Sequence, residues 1–154
     1  MLMSAGAPSA PDNSSGPDGG APRPLRVLYL TSSLHFGGAE RQVVELARHL
    51  DRRRFFPILC CLDGVTTLAQ GLDPSIPVLV LKRRSRFDVT LIPRALSLLR
   101  RWRVDIVHNF LFVAEIVGRI AGRLAGVAEI VASERNSSYP SRPFHEACLK
   151  LTRP

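Results

Sequence analysis

Apolar strands alternating with amphipathic helices predict an α/β fold, a Rossmann-like, mostly parallel sheet with helices on both faces. Three observations carry the prediction. Val27, Leu28, Tyr29 and Leu30 form an unbroken apolar run, the pattern of a strand buried on both faces. That run passes through a polar loop into Gly37-Gly38 and then a helical stretch. Short apolar runs then recur between helical patterns, which argues for right-handed crossovers rather than hairpins.

The periodicity places strands over 25–31, 56–62, 76–81, 104–108 and 129–133, helices over 39–50, 91–101 and 113–125, and a short element over 68–72. Gly126 stands where a helix ending near Ala125 would stop. Residues 144–151 read as the start of another helix, before any strand that it could feed. Residues 1–24 are crowded with Pro, Gly, Ser and Asp, too poor in large apolar side chains to offset their ordering entropy. They are expected to form a disordered tail, leaving residues 25–154 as one domain. No internal repeat of solenoid or propeller period stands out.

The 154 residues carry a formal charge of +8, which favours anionic ligands, membrane surfaces or nucleic acid without choosing among them. The charge clusters at Arg52-Arg53-Arg54, at Lys82-Arg83-Arg84 with Arg86, and at Arg100-Arg101 with Arg103. No helix-turn-helix, zinc-finger or RRM signature is present, so specific nucleic-acid recognition is not expected. Cys60, Cys61 and Cys148 lack metal-ligand spacing and read as reduced core residues. Residues 1–24 hold no apolar run of signal-peptide length, and no segment reaches the unbroken apolar length of a membrane span. A cytoplasmic location is expected.

Ligands of open parallel sheets bind outside the carboxyl ends of the strands. At those ends the sequence offers the loop 32–38, Asp63-Gly64, Lys82-Arg83-Arg84, His108-Asn109 and Glu134-Arg135-Asn136. Gly37 and Gly38 permit close backbone approach or a positive φ, and the helix that they open turns free N–H groups and a positive dipole end toward an anion such as a diphosphate. The stretch is neither G-x-G-x-x-G nor G-x-x-x-x-G-K-[ST], and two glycines that merely make a tight turn are the alternative. His108 directly follows the run Val104 to Val107 and is expected at the sheet rim, able to donate to a sugar hydroxyl or phosphate; a structural histidine is the alternative. Arg135 can pair with phosphate, or simply with Glu134. His35 lies in the glycine loop. In Leu91 to Arg103, Ile92, Ala95, Leu96, Leu99 and Trp102 follow helical spacing among arginines, which suits either an ordinary crossover helix or docking on anionic headgroups.

The segments RVLYLTSSLHFGGAERQVVELARHL, VDIVHNFLFVAEIVGRIAGRLAGV and IVASERN together resemble the N-terminal domain of glycosyltransferase family 4, the retaining enzymes of GT-B fold. The resemblance implies the incomplete N-terminal, acceptor-side domain of a two-domain enzyme that moves a sugar from a nucleotide-sugar to a glycan or lipid-linked acceptor. It further implies no cofactor and no metal in the site. Gly37 and Gly38 would approach the donor diphosphate, Glu40 and Arg41 would begin the supporting helix, and His108 would be the catalytic-site histidine near the transferred sugar. His35, Asn109, Glu134, Arg135 and Asn136 would supply acceptor or donor contacts. Many relatives carry a second histidine two places after the first, where this chain has Phe110. The family's C-terminal domain, with its nucleotide site and paired glutamates, is not in the sequence, so the chain alone is expected to be silent. Contact with an anionic membrane face fits the basic helix. A non-enzymatic anion- or nucleotide-binding α/β module is the alternative reading. A dinucleotide oxidoreductase using Asp63 on a ribose is a weaker third.

Overall fold

The computed structural model describes residues 22–85 and 88–133. Its elements are β1 (Leu25–Thr31), α1 (Gly38–His49), β2 (Phe55–Cys61), a 3-10 turn (Thr67–Gly71), β3 (Val78–Val80), α2 (Leu91–Arg101), β4 (Ile106–Phe110), α3 (Phe112–Ala125) and β5 (Glu129–Ser133). The five strands form a parallel sheet in the order β3-β2-β1-β4-β5. The fold class expected from the sequence is the one observed. The expected tail up to residue 21, the helix over 144–151, Arg86, Cys148 and the Glu134-Arg135-Asn136 group lie outside the described residues.

β1 is central and buried on both faces, as its unbroken apolar run requires. Val27 and Tyr29 pack with Val43, Val44 and Ala47 of α1. Leu28 and Leu30 face the opposite layer, where Leu91, Ala95 and Leu99 of α2 meet Ala114, Val117 and Ala121 of α3. The apolar stripe of α2 is thus spent on the sheet, and Trp102 is buried with it. Cys60 and Cys61 are buried free thiols on opposite faces. Desolvation pushes both thiols up, Cys61 to about 11, so neither is a ready nucleophile.

The fourth strand starts two residues later than the periodicity indicates, because Val104 closes α2 instead of opening β4. Arg103 N–H donates to Arg100 O at 3.1 Å and Val104 N–H to Leu99 O at 3.1 Å. Arg103 itself is left-handed with φ 46°. This is a Schellman closure with its usual apolar contact, and an arginine holds the place that glycine normally takes. The equivalent closure of α3 uses Gly126 at φ 73°, with Val127 N–H donating to Gly122 O.

α3 lies close to the sheet because small residues face it. A Cβ on Gly118 would collide with the carboxamide of Asn109, and one on Gly122 would lie 2.9 Å from Ile130 Cδ1. Asn109 is fully buried; its Nδ2 donates to Val131 O at 3.2 Å, and its Oδ1 has no partner among the described residues. At the amino edge of the sheet, Asp105 accepts two bonds of 2.7 Å from Arg23 and one of 2.7 Å from the backbone N–H of Arg26. Burial raises the Asp105 pKa, but the Arg23 hydrogen bond, the Arg26 N–H and the two guanidinium charges outweigh it, and the net shift is downward.

Two outcomes are expected. Gly118→Ala should cost about 1–3 kcal/mol through overpacking, and Asn109→Ala in the same chain should recover part of that loss, a coupling that urea denaturation of the double-mutant cycle measures. Asp105→Ala should cost about 1–3 kcal/mol near neutral pH, because it strands the Arg26 N–H. A depressed folded pKa contributes stability that is present above the unfolded value and lost as pH falls through the folded one. The gap between wild type and Asp105→Ala should therefore narrow in acid melts and hold constant above about pH 5.

Candidate functional site

The carboxyl edge of the sheet is assembled by loops that hydrogen-bond to one another. Leu62 N–H donates to Thr31 O at 3.0 Å and Asp63 N–H to Ser32 O at 2.8 Å. Leu34 N–H donates to Val65 O at 2.9 Å, while Leu68 N–H donates to Leu34 O at 3.0 Å. Leu34 is fully buried and pins the loop. Beyond it His35, Phe36, Gly37 and Gly38 are all exposed, Phe36 to 68%.

Gly37 precedes α1 in extended backbone, φ −163°, and neither glycine of the pair is left-handed. No side chain caps α1, and the first intrahelical bond is Arg41 N–H to Gly37 O at 3.1 Å. The first-turn N–H groups of a 12-residue helix thus open onto the edge. A Cβ at Gly38 would meet nothing within 4 Å, whereas one at Gly37 would collide with the Glu40 carboxylate. That carboxylate folds back over Gly37 and competes for the positive field that an anion would use. Thr31, the last residue of β1, is fully buried with Oγ1 unpartnered by any described residue.

The candidate histidines are placed differently. His35 is exposed, its ring centroid 5.7 Å from that of Phe36. His108 is not at the rim as the sequence suggested. The two-residue delay of β4 carries the strand on to Phe110, so His108 is the third of its five residues. It is half-buried beside Tyr29 at 5.6 Å and Phe110 at 4.4 Å between ring centroids, and its Nε2 lies 2.8 Å from Ser133 Oγ. Phe110, which stands where relatives carry the second histidine, is fully buried in this aromatic group. Burial pushes the Tyr29 phenol above its ordinary range.

Asn109 points the other way. Adjacent strand residues face opposite sides, and Asn109, expected as a ligand contact, is fully buried beneath α3 against Gly118. Asp63 is engaged by Arg83, with Nε to Oδ1 at 3.2 Å and Nη2 to Oδ2 at 3.3 Å. That pair ties the end of β2 to the strand that follows and occupies the acid that a ribose-binding reading would need. Lys82 and Arg84 remain exposed. Ser133 and Tyr29, which surround His108, carry no signal in the sequence as site residues. Their proximity comes from the parallel registers Tyr29↔His108 and Phe110↔Ser133. Among the described residues, no group of three or more His, Cys, Asp or Glu side chains is placed to hold a metal ion. None of the described helices is long and apolar enough to cross a membrane.

Residues 36–153 match the sequence profile of Glycosyltransferase Family 4. No curated protein sequence matches the chain significantly. Among solved structures, a glycosyltransferase from Rickettsia africae ESF-5 superposes with a TM-score of 0.63 at 17% identity, over 80% of this chain and 33% of that one. That likeness shows a shared fold, and the chain spans about a third of that structure's length. With the profile matched over well more than half of its sequence, from the glycine loop onward, the chain belongs to glycosyltransferase family 4.

Proposed function

We propose that the chain is the acceptor-side part of a retaining glycosyltransferase that uses a nucleotide-sugar donor and works in the cytoplasm on a glycan or lipid-linked acceptor, and that it is silent without a second, nucleotide-holding domain. The observation that carries this reading is the uncapped N-terminus of α1 behind Gly38, open on the Cβ side of that glycine. When the bond between the sugar C1 and the diphosphate oxygen breaks, negative charge grows on the leaving diphosphate. Fixed backbone N–H groups and the helix dipole meet that charge without reorganising, and no metal is needed in this reading. Gly37 and Gly38 let the diphosphate approach, with Glu40 swinging off Gly37 as it arrives. His108 would act on the transferred sugar from the Tyr29 side of β4, its ring oriented by Ser133. His35 would contact the sugar or acceptor from the glycine loop. Glu134, Arg135 and Asn136, which follow Ser133 directly in the sequence, would add acceptor or donor contacts.

Titration calorimetry with a nucleoside diphosphate tests the anion site. Gly38→Ala should leave the melting temperature unchanged, because its Cβ enters open space, yet weaken binding about tenfold or more by holding the ligand off the N–H groups. Glu40→Gln should strengthen binding several-fold by removing a competing negative charge. Equal affinity of wild type and Gly38→Ala would sink the assignment. Transfer from radiolabelled nucleotide-sugars to a membrane extract should be absent with this chain alone, and robust transfer would show that no second domain is required.

A further inference from the structure

Phe36 is 68% exposed, more than any other aromatic side chain among the described residues. A solitary apolar residue on a surface needs no explanation, but the surroundings of this ring set it apart. On one side Leu34 is fully buried, its N–H donating to Val65 O at 2.9 Å and its carbonyl accepting from Leu68 N–H at 3.0 Å. On the other side α1 begins at Gly38. Three residues join these two anchors and leave little slack, so the ring projects from a short bend instead of folding back onto the core. His35 stands against it, with ring centroids 5.7 Å apart and planes inclined by 53°. A polar side chain at position 36 would fit the same backbone and leave no apolar area in water. The packing of the fold therefore gives no reason for a phenyl group here.

The position of the ring limits what it can meet. Two peptide units separate Phe36 from Gly38, at most about 7.6 Å between Cα atoms. In the function proposed above, a sugar is bonded directly to the diphosphate that approaches Gly38, and the nucleoside belongs to the second domain. A pyranose is thus within reach of the ring. The chemistry of the two surfaces is complementary. An aromatic face carries the negative lobe of the ring quadrupole, while one face of a pyranose presents axial C–H bonds with slight positive charge and turns its equatorial hydroxyls outward. Stacking covers the apolar ring and leaves those hydroxyls to His35, whose imidazole both donates and accepts hydrogen bonds when neutral.

We infer that Phe36 is an aromatic platform for a pyranose ring, selecting sugars whose stacking face is free of axial hydroxyls. The platform serves either the sugar of the donor or the sugar of the acceptor, since both meet at the reaction centre. The inference rests on the proposed transferase reading for the class of ligand. Sugar stacking and diphosphate binding are separate measurements, and either can fail alone.

Saturation-transfer NMR on the full 154-residue chain provides the test, with aromatic protons irradiated and the methyl β-pyranosides of glucose, galactose and mannose as probes. At least one glycoside should receive saturation on its axial C–H protons. Phe36→Leu keeps an apolar side chain but removes the π face, and should abolish that transfer and weaken glycoside binding about fivefold. Phe36→Tyr should restore binding to within about twofold of wild type. Both variants should melt with wild type, because the side chain is exposed. Phe36→Leu should also keep wild-type affinity for UDP and GDP, which Gly38→Ala weakens. Displacement of the glycoside by UDP-glucose or GDP-mannose assigns the platform to the donor's sugar, and simultaneous binding assigns it to the acceptor's. Equal glycoside binding by wild type and Phe36→Leu would overturn the proposal, as would absence of saturation on all three glycosides. Phe36-dependent binding of free uridine or guanosine, or of octyl glucoside without any methyl glycoside, would overturn it in favour of a base or an alkyl chain.

Discussion

The parallel pairing of β1 with β4 is the constraint on which the rest of the molecule depends. β1 has β2 on one side and β4 on the other, so crossovers leaving in the two directions must lie on opposite faces if both are right-handed. α1 therefore covers one face while α2 and α3 share the other. The point where strand order reverses is the place where an open α/β sheet leaves a crevice outside its carboxyl ends. The glycine loop leaves β1 at that point, with β4 alongside it. A different partner for β1 would remove both the crevice and the opening at the N-terminus of α1.

The same pairing explains why α3 is built of small residues. Leu30 and Asn109 are register partners and face α3, so a polar carboxamide sits in a layer of aliphatic side chains. Gly118 makes room for it, and the Nδ2 bond to Val131 O fastens β4 to β5. Glycine in a helix interior costs about 1 kcal/mol relative to alanine. The closer packing of α3 on the sheet and the inter-strand bond offset that cost.

Periodicity made every described element legible, because burial of one helix stripe or of a whole central strand leaves a direct trace in residue order. The glycine loop was legible for the same local reason. Register was not legible. Val104 is as apolar as a strand residue, and only the closure of α2 through left-handed Arg103 assigns it to the turn. That two-residue shift moved His108 from the rim into the strand. The parity of the pleat then sent neighbouring His108 and Asn109 to opposite faces, one beside Tyr29 and the other into the core. Ser133 became the partner of His108 through a pairing between strands separated by a whole helix, which no local pattern encodes.

Charge follows from the architecture as well. In a parallel sheet with returning helices, helix N-termini gather at the carboxyl edge of the strands and helix C-termini at the amino edge. In the proposed reading the carboxyl edge attracts an anion with the backbone N–H groups at the start of α1, while one of its arginines is neutralised by Asp63. The amino edge presents carbonyl ends and favours cations on its side chains. Arg100 satisfies such a carbonyl directly. Once those carbonyls are served, each further arginine adds repulsion among like charges without a folded partner to balance it. Arg53 and Arg103 have no ion pair among the described residues, Arg54 lies over the Phe55 ring at 5.5 Å, and Arg103 adds left-handed strain to the repulsion.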